Sequence, residues 1–252
     1  MIPRIHSLLL VLMACLMTAP AIANKPKSIT KAEMALIPTY CPDTMGFGYG
    51  DAVYNTSPRA PRWVSMLGKD FWHLHHYCWA LINLNRANRH GVSKQQRMGL
   101  LQAVLSDYQY VLDRADPEFL LLPEILTRAG EAELMLARPE RAGEAFARAR
   151  QLKPDYWPAY SHWIEYLIGK GRRGEAKEFA QEGLEISPSS KTLQEQYRLL
   201  GGNPALIVPR PPPAPPETLP LRFHEIPRGV RAGQSRRVLK WAYRTDGRGL
   251  WP

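Results

Sequence analysis

From Pro139 the chain reads PERAGEAFARARQLKP, closing at Pro154; from Arg173 it reads RGEAKEFAQEGLEISP, closing at Pro188. The two closing prolines lie 34 positions apart (188 − 154), and the residues before them fall into register. Ala142, Ala145, Phe146, Ala149 and Leu152 align with Ala176, Phe179, Ala180, Gly183 and Ile186. Both sets run i, i+3, i+4, i+7, i+10, one face of an α-helix. Ala145–Phe146 becomes Phe179–Ala180, so a small and a large side chain change places at similar total volume. A second helix precedes each stretch, marked first by Leu122, Ile125, Leu126 and Ala129, then by Trp157, Tyr160, Trp163, Ile164 and Leu167. A helix pair recurring at this period cannot bury its apolar face alone and must stack on its neighbours.

These residues resemble the tetratricopeptide repeat (TPR) family. The matching string is Ala142-x3-Phe146-x2-Ala149-x4-Pro154, with Gly130 upstream where the family prefers a small residue. The second copy keeps Ala176, Gly183 and Pro188, with Phe179 beside Ala180 in place of the aromatic and Ile164 in place of the glycine. The match covers residues 118–200, about a third of the chain. The resemblance implies paired helices stacked into a right-handed superhelix that binds protein segments and is seldom an enzyme.

A chain of 252 residues with 45% hydrophobic content suffices for a packed core in one or two domains. The formal charge of +10 favours acidic partners, an anionic envelope surface among them, against the plainer reading of a solvated basic surface. Arg4 and His6 make a short polar start, Ser7 to Leu16 is an apolar run too short to span a bilayer, and Ala21-Ile22-Ala23 supplies a cleavage pattern. Residues 1–23 are therefore expected to be a signal peptide, the mature protein periplasmic and without a transmembrane segment. Leu12-Met13-Ala14-Cys15 also resembles a bacterial lipobox, which leaves lipid attachment at Cys15, and after it an uncleaved anchor, as the other readings. Cys41 and Cys78 remain after cleavage. An even pair in an oxidising compartment suggests a disulfide, with two free buried thiols as the alternative.

Residues 24–68 read as an irregular N-terminal cap. Thr30-Lys31-Ala32-Glu33 has capping-box spacing and predicts a short helix to Ile37, stopped by Pro38. Residues 69–201 read as the helical domain. Between Lys69 and Asn88, Trp72, His75, His76 and Trp79 share one side of a helix, and Tyr77, Leu81 and Leu84 the opposite side. A helix apolar on nearly all sides is buried all round. One side packs on a partner helix; the other needs a cover, which the cap supplies if Cys41 and Cys78 are joined. Gly91 is expected to end that helix and Ser93-x-x-Gln96 to start the next, giving a degenerate first repeat. Asp116-Pro117 and Ser187-Pro188 each read as an N-cap followed by proline in the first helical position. The helix expected from Ser190 to Leu200 is polar on most sides, as suits the end of a stack. The expected fold is all-α: a TPR-like α-solenoid of about three helix pairs with a capping helix, the irregular cap before it and a disordered tail after it. That tail, residues 202–252, contains a Pro-rich run; from Arg210 on, nine basic residues against three acidic ones carry +6 of the net +10.

The pattern carries little chemistry. His73, His75, His76 and Cys78 have the composition of metal ligands, but on a helix they form two pairs that point differently, so no metal is expected. No nucleophile motif and no cofactor motif occurs, and neither an enzyme nor a bound cofactor is expected. Nucleic acid is an unsuitable partner for a secreted chain. Tyr156, Trp157, His162 and Tyr166 are the candidates to line a groove. The expected function is a non-catalytic adaptor of the bacterial envelope that binds an unidentified protein segment in that groove. The alternative is an envelope glycan- or lipid-binding protein acting through the basic, aromatic tail.

Overall fold

A computed structural model describes residues 25–47 and 57–213. Among these residues all regular structure is helical. Helices α1 (Lys31–Met34) and α2 (Ala60–Leu67) belong to the cap. They are followed by α3 (Leu74–Ala87), α4 (Lys94–Leu112), α5 (Leu122–Met135), α6 (Pro139–Leu152), α7 (Pro158–Gly169), α8 (Arg173–Ile186) and α9 (Lys191–Leu199). From α3 onward each helix packs on the next, and α5 also touches α7, as α7 touches α9.

The repeat is visible in the backbone itself. The bounds of α8 are those of α6 moved by 34 positions, at both ends. The turns before them match as well. Ala137 (φ +57°) and Gly171 (φ +72°) both adopt the left-handed conformation. Arg138 N–H donates to Glu133 C=O and Arg172 N–H to Leu167 C=O, both at 2.9 Å. These bonds close a helix end on its own last carbonyls, so each pair turns at the same repeat position. The repeated apolar face is inside. Ala142, Phe146, Ala149, Ala176 and Ala180 are fully buried and Phe179 nearly so; Gly183 and Pro154 are buried too. A fully buried Phe or Leu contributes about 1.5–3 kcal/mol over its exposed state. Pro188 departs from this reading and is exposed. After Pro154 a whole helical pair follows, whereas among the described residues Pro188 is followed by α9 and a short turn at Pro204–Leu206.

Helix α3 is covered on two sides, as its composition demands. Leu74, Tyr77, Ala80 and Leu84 join a core shared with α4 and α5. Cys78, Trp79 and Ile82 form a second cluster with Ile37, Cys41 and Phe47 of the cap. The Cys41–Cys78 disulfide joins the two across a sequence separation of 37. Two carboxylates fasten the cap further. Buried Glu33 accepts from Arg86 Nε and from Arg89, each at 2.7 Å, and completes a capping box with Thr30. The Arg86 hydrogen bond holds its carboxyl well below the usual range, against the opposing effect of burial. Asp43, fully buried, accepts from Ser57 Oγ (2.7 Å), Arg59 Nε (3.1 Å) and Trp63 Nε1 (2.6 Å).

Several boundaries differ from expectation. The cap is not wholly irregular, because Pro61 sits in the first turn of α2, where its missing N–H costs nothing, and Trp63, Val64 and Leu67 give that helix an apolar face. The first helix stops at Met34, short of Ile37. Helix α3 ends at Ala87, and Gly91 (φ +80°) bends the linker beyond it. Asp116-Pro117 does not start α5. Asp116 N–H donates to Asp70 Oδ2 (3.2 Å) and Asp116 Oδ1 accepts from Glu118 N–H (3.1 Å), which holds a turn, and the helix begins at Leu122. Ser187-Pro188 does not start α9, since Ser187 Oγ is spent on Asp155 C=O (2.9 Å) and Ser190 caps the helix. Residues 202–213 are not free tail. Gly202 lies against the Tyr197 ring, and Arg210 is held to Glu185 by its backbone N–H (2.8 Å) and its Nε (2.9 Å). The expected signal peptide and the remainder of the tail lie outside the described residues.

Candidate functional site

A cleft of about 310 Å³ lies between α5, α7 and the start of α9. Its walls obey the repeat. Glu124, Thr127 and Arg128 on α5 correspond, 34 positions on, to Pro158, Ser161 and His162 on α7, and Thr192 on α9 follows Pro158 by the same step. Equivalent faces of successive helices therefore meet the same space.

A ladder of polar contacts runs along this face. Arg128 Nη1 lies 3.1 Å from Glu131 Oε2, and Glu131 Oε1 lies 2.7 Å from His162 Nε2 on the next pair. His162 Nδ1 is 3.7 Å from Glu165 Oε2, and Glu165 Oε1 accepts from Gln196 Nε2 at 3.3 Å. Gln196 also donates to Ser161 Oγ (2.9 Å). Residues 128, 162 and 196 occupy one repeat position, and 131 and 165 another. Burial pushes the Glu131 carboxyl up, but His162 and Arg128 more than reverse this, so it lies below the usual carboxylate range. Burial likewise opposes the charge on Arg128, and Glu131 more than restores it.

At the cap end, Glu124 Oε1 accepts from Tyr77 Oη at 2.6 Å. Burial first, then the Glu124 charge, raises the Tyr77 phenol well above its ordinary value. Arg128 is engaged by Glu131, so Glu124 and Glu165 leave the cleft with an acidic character inside an otherwise basic chain.

Of the residues expected to line a groove, the structure brings three together. Tyr156 and His162 are half-buried in the cleft, and Trp157 is 39% exposed at its edge. Burial and the charge of Glu124 push the Tyr156 phenol up to about 12. Tyr166 is elsewhere, stacked on Trp163 at 4.9 Å, because its position on α7 faces the hydrophobic seam rather than the cleft. A neighbouring hollow of about 380 Å³, lined by Asp155 and residues 186–192, shares Trp157 and Thr192 with the cleft.

The arrangement can hold an extended chain by hydrogen bonds and flat aromatic contact. Among the described residues no three His, Cys, Asp or Glu side chains converge as a metal site would need. Composition alone did not disclose the ladder. The 34-residue offset carries the signal for it, because it relates polar positions as well as apolar ones. No family model matches the chain, and no curated protein or solved structure is significantly similar to it.

Proposed function

We propose that the protein is a TPR-like helical solenoid of the bacterial periplasm that holds an extended segment of a partner protein in the cleft between α5, α7 and α9. The observation that carries this reading is the cleft's construction. Its walls reuse equivalent repeat positions of successive helices, Glu124, Pro158 and Thr192 at one, Thr127 and Ser161 at a second, Arg128 and His162 at a third, so it is a surface that stacking creates. Backbone-length ladders of donors and acceptors, with Trp157 and Tyr156 at the edge, suit a peptide main chain and its side chains. The buried disulfide accords with an oxidising compartment, and with export by residues 1–23. The role is scaffolding rather than catalysis.

The test is co-purification from envelope extracts with three forms of the chain: full length, cleft-altered (Tyr156→Ala, Trp157→Ala and His162→Ala together), and truncated after Pro213. A partner recovered by the first and third forms but not by the second supports the reading. A partner lost only on truncation would transfer binding to the tail, as a glycan- or lipid-directed role for residues 214–252 requires. Equal recovery by all three forms would overturn the groove.

A further inference from the structure

We infer that the chain carries its own cleft ligand: the arginine-rich segment 228–248 docks in the cleft. This rests on the cleft being a peptide site, and assigns its resting occupant.

Three observations converge. The first is charge. Segment 228–248 presents Arg228, Arg231, Arg236, Arg237, Lys240, Arg244 and Arg248 against Asp246 alone. The cleft presents Glu124 and Glu165, the latter's side chain 60% exposed; in the adjoining hollow Asp155 is paired with Lys153 at 3.1 Å, beside Lys191. Arg128, the cation on the same wall, is already bonded to Glu131. An acidic recess and a basic segment on one chain attract each other at a high effective concentration.

The second is the point of departure. Arg210 is pinned by backbone and side chain to Glu185, the residue before Ile186. Ile186 lines the hollow that shares Trp157 and Thr192 with the cleft. The chain thus leaves the folded body beside the recess. Drawn out at about 3.3 Å per residue, the stretch from Arg210 to Arg228 is longer than a domain of this size is wide.

The third is the chemistry at the rim. Trp157 offers an exposed indole face, and a guanidinium stacks on such a face while its N–H groups reach a carboxylate. Tyr156 and Glu165 line the same cleft.

The experiment is zero-length carbodiimide crosslinking of the purified full chain, read by mass spectrometry. Lys240 is the sole lysine in residues 214–252, so any amine product from that region is assigned to it. Lys69 and Asp116, 3.5 Å apart, serve as the internal control. The expected result is a bond from Lys240 to Glu124, Glu165 or Asp155, within one chain and unchanged on dilution. It is expected to weaken as salt rises and to disappear in a Glu124→Gln, Glu165→Gln, Asp155→Asn chain that keeps the control product. If the control forms and Lys240 reacts with nothing, reacts only outside the cleft, or reacts only between chains, the proposal is overturned. The two readings fail separately. Loss of capture by the cleft-altered chain without a Lys240 product would remove the tail inference alone. A Lys240 product with capture insensitive to the cleft would remove the partner groove alone.

Discussion

Gly130 lies directly against the ring of Phe146: a Cβ at Gly130 would stand 2.6 Å from Phe146 Cε1. At the equivalent places in the next repeat stand Ile164 and Ala180, both fully buried. The large side chain has crossed from one helix of the pair to the other. Gly130→Ala therefore overpacks the first pair and should cost about 1–3 kcal/mol, although alanine favours helices. Combining Gly130→Ala with Phe146→Leu should recover part of that loss, and urea midpoints of the three chains check it. Additive losses would remove the idea of a shared volume.

Ala137 holds φ +57° where the matching residue of the next pair is Gly171. An L-residue pays about 1–2 kcal/mol for this conformation, and glycine pays less than that in unfolded-chain entropy. Ala137→Gly should raise stability by up to about 1 kcal/mol, a rise of about 2–4 °C in Tm for a domain of this size. Thermal unfolding of the two chains decides the sign.

Reducing the Cys41–Cys78 bond frees a loop of 37 residues' separation in the unfolded chain. The expected loss is about 2–4 kcal/mol, and it should fall on the cap. Hydrogen exchange in reductant should accelerate across residues 31–47 and at Trp79 before it changes across α7 and α8. Uniform acceleration along the chain would contradict this.

Stability should fall in acid, starting above the carboxylate range. Burial, with the charges of His76 and His73, lowers the His75 pKa from 6.5 to about 4, while its Nδ1 bond to Trp72 C=O opposes this. The folded chain thus resists a proton that the unfolded chain accepts. His75 contributes its full share of stability above about pH 6.5, and that share is lost as pH falls toward about 4. Glu33 and Glu131, both held below their usual range, add further losses below about pH 4.5 as they protonate. Urea midpoints for the parent and for His75→Gln should differ less at pH 4.5 than at pH 7.

Much of this architecture was legible because apolar spacing repeats. The faces of α6 and α8 and the burial of α3 on two sides follow from where large and small apolar residues fall; the Cys41–Cys78 bond was suggested instead by an even pair of cysteines in an exported chain. Helix starts were less legible. Asp116 and Ser187 look like caps, but the Asp116 carboxylate accepting from Glu118 N–H holds only a turn, and the Ser187 hydroxyl donates to Asp155 C=O instead of capping. The Asp43 hub was invisible, since its partners Ser57, Arg59 and Trp63 lie 14 to 20 positions away. The ladder in the cleft escaped notice for another reason: Arg128, His162 and Gln196 share a position but not a residue type, and hydrogen bonding tolerates such exchange where close packing does not.

The anchoring of the two ends is unequal. At one end a covalent link and the Glu33–Arg86–Arg89 cluster fasten the cap to α3. At the other, Leu199, Leu206 and Val208 stand open to water around a nine-residue final helix. In a pile whose layers touch only their neighbours, damage starts where the last layer is least held. Proteases and mechanical load should thus strip the molecule from α9 backward, leaving a disulfide-bound remnant of cap and α3 as the last piece intact.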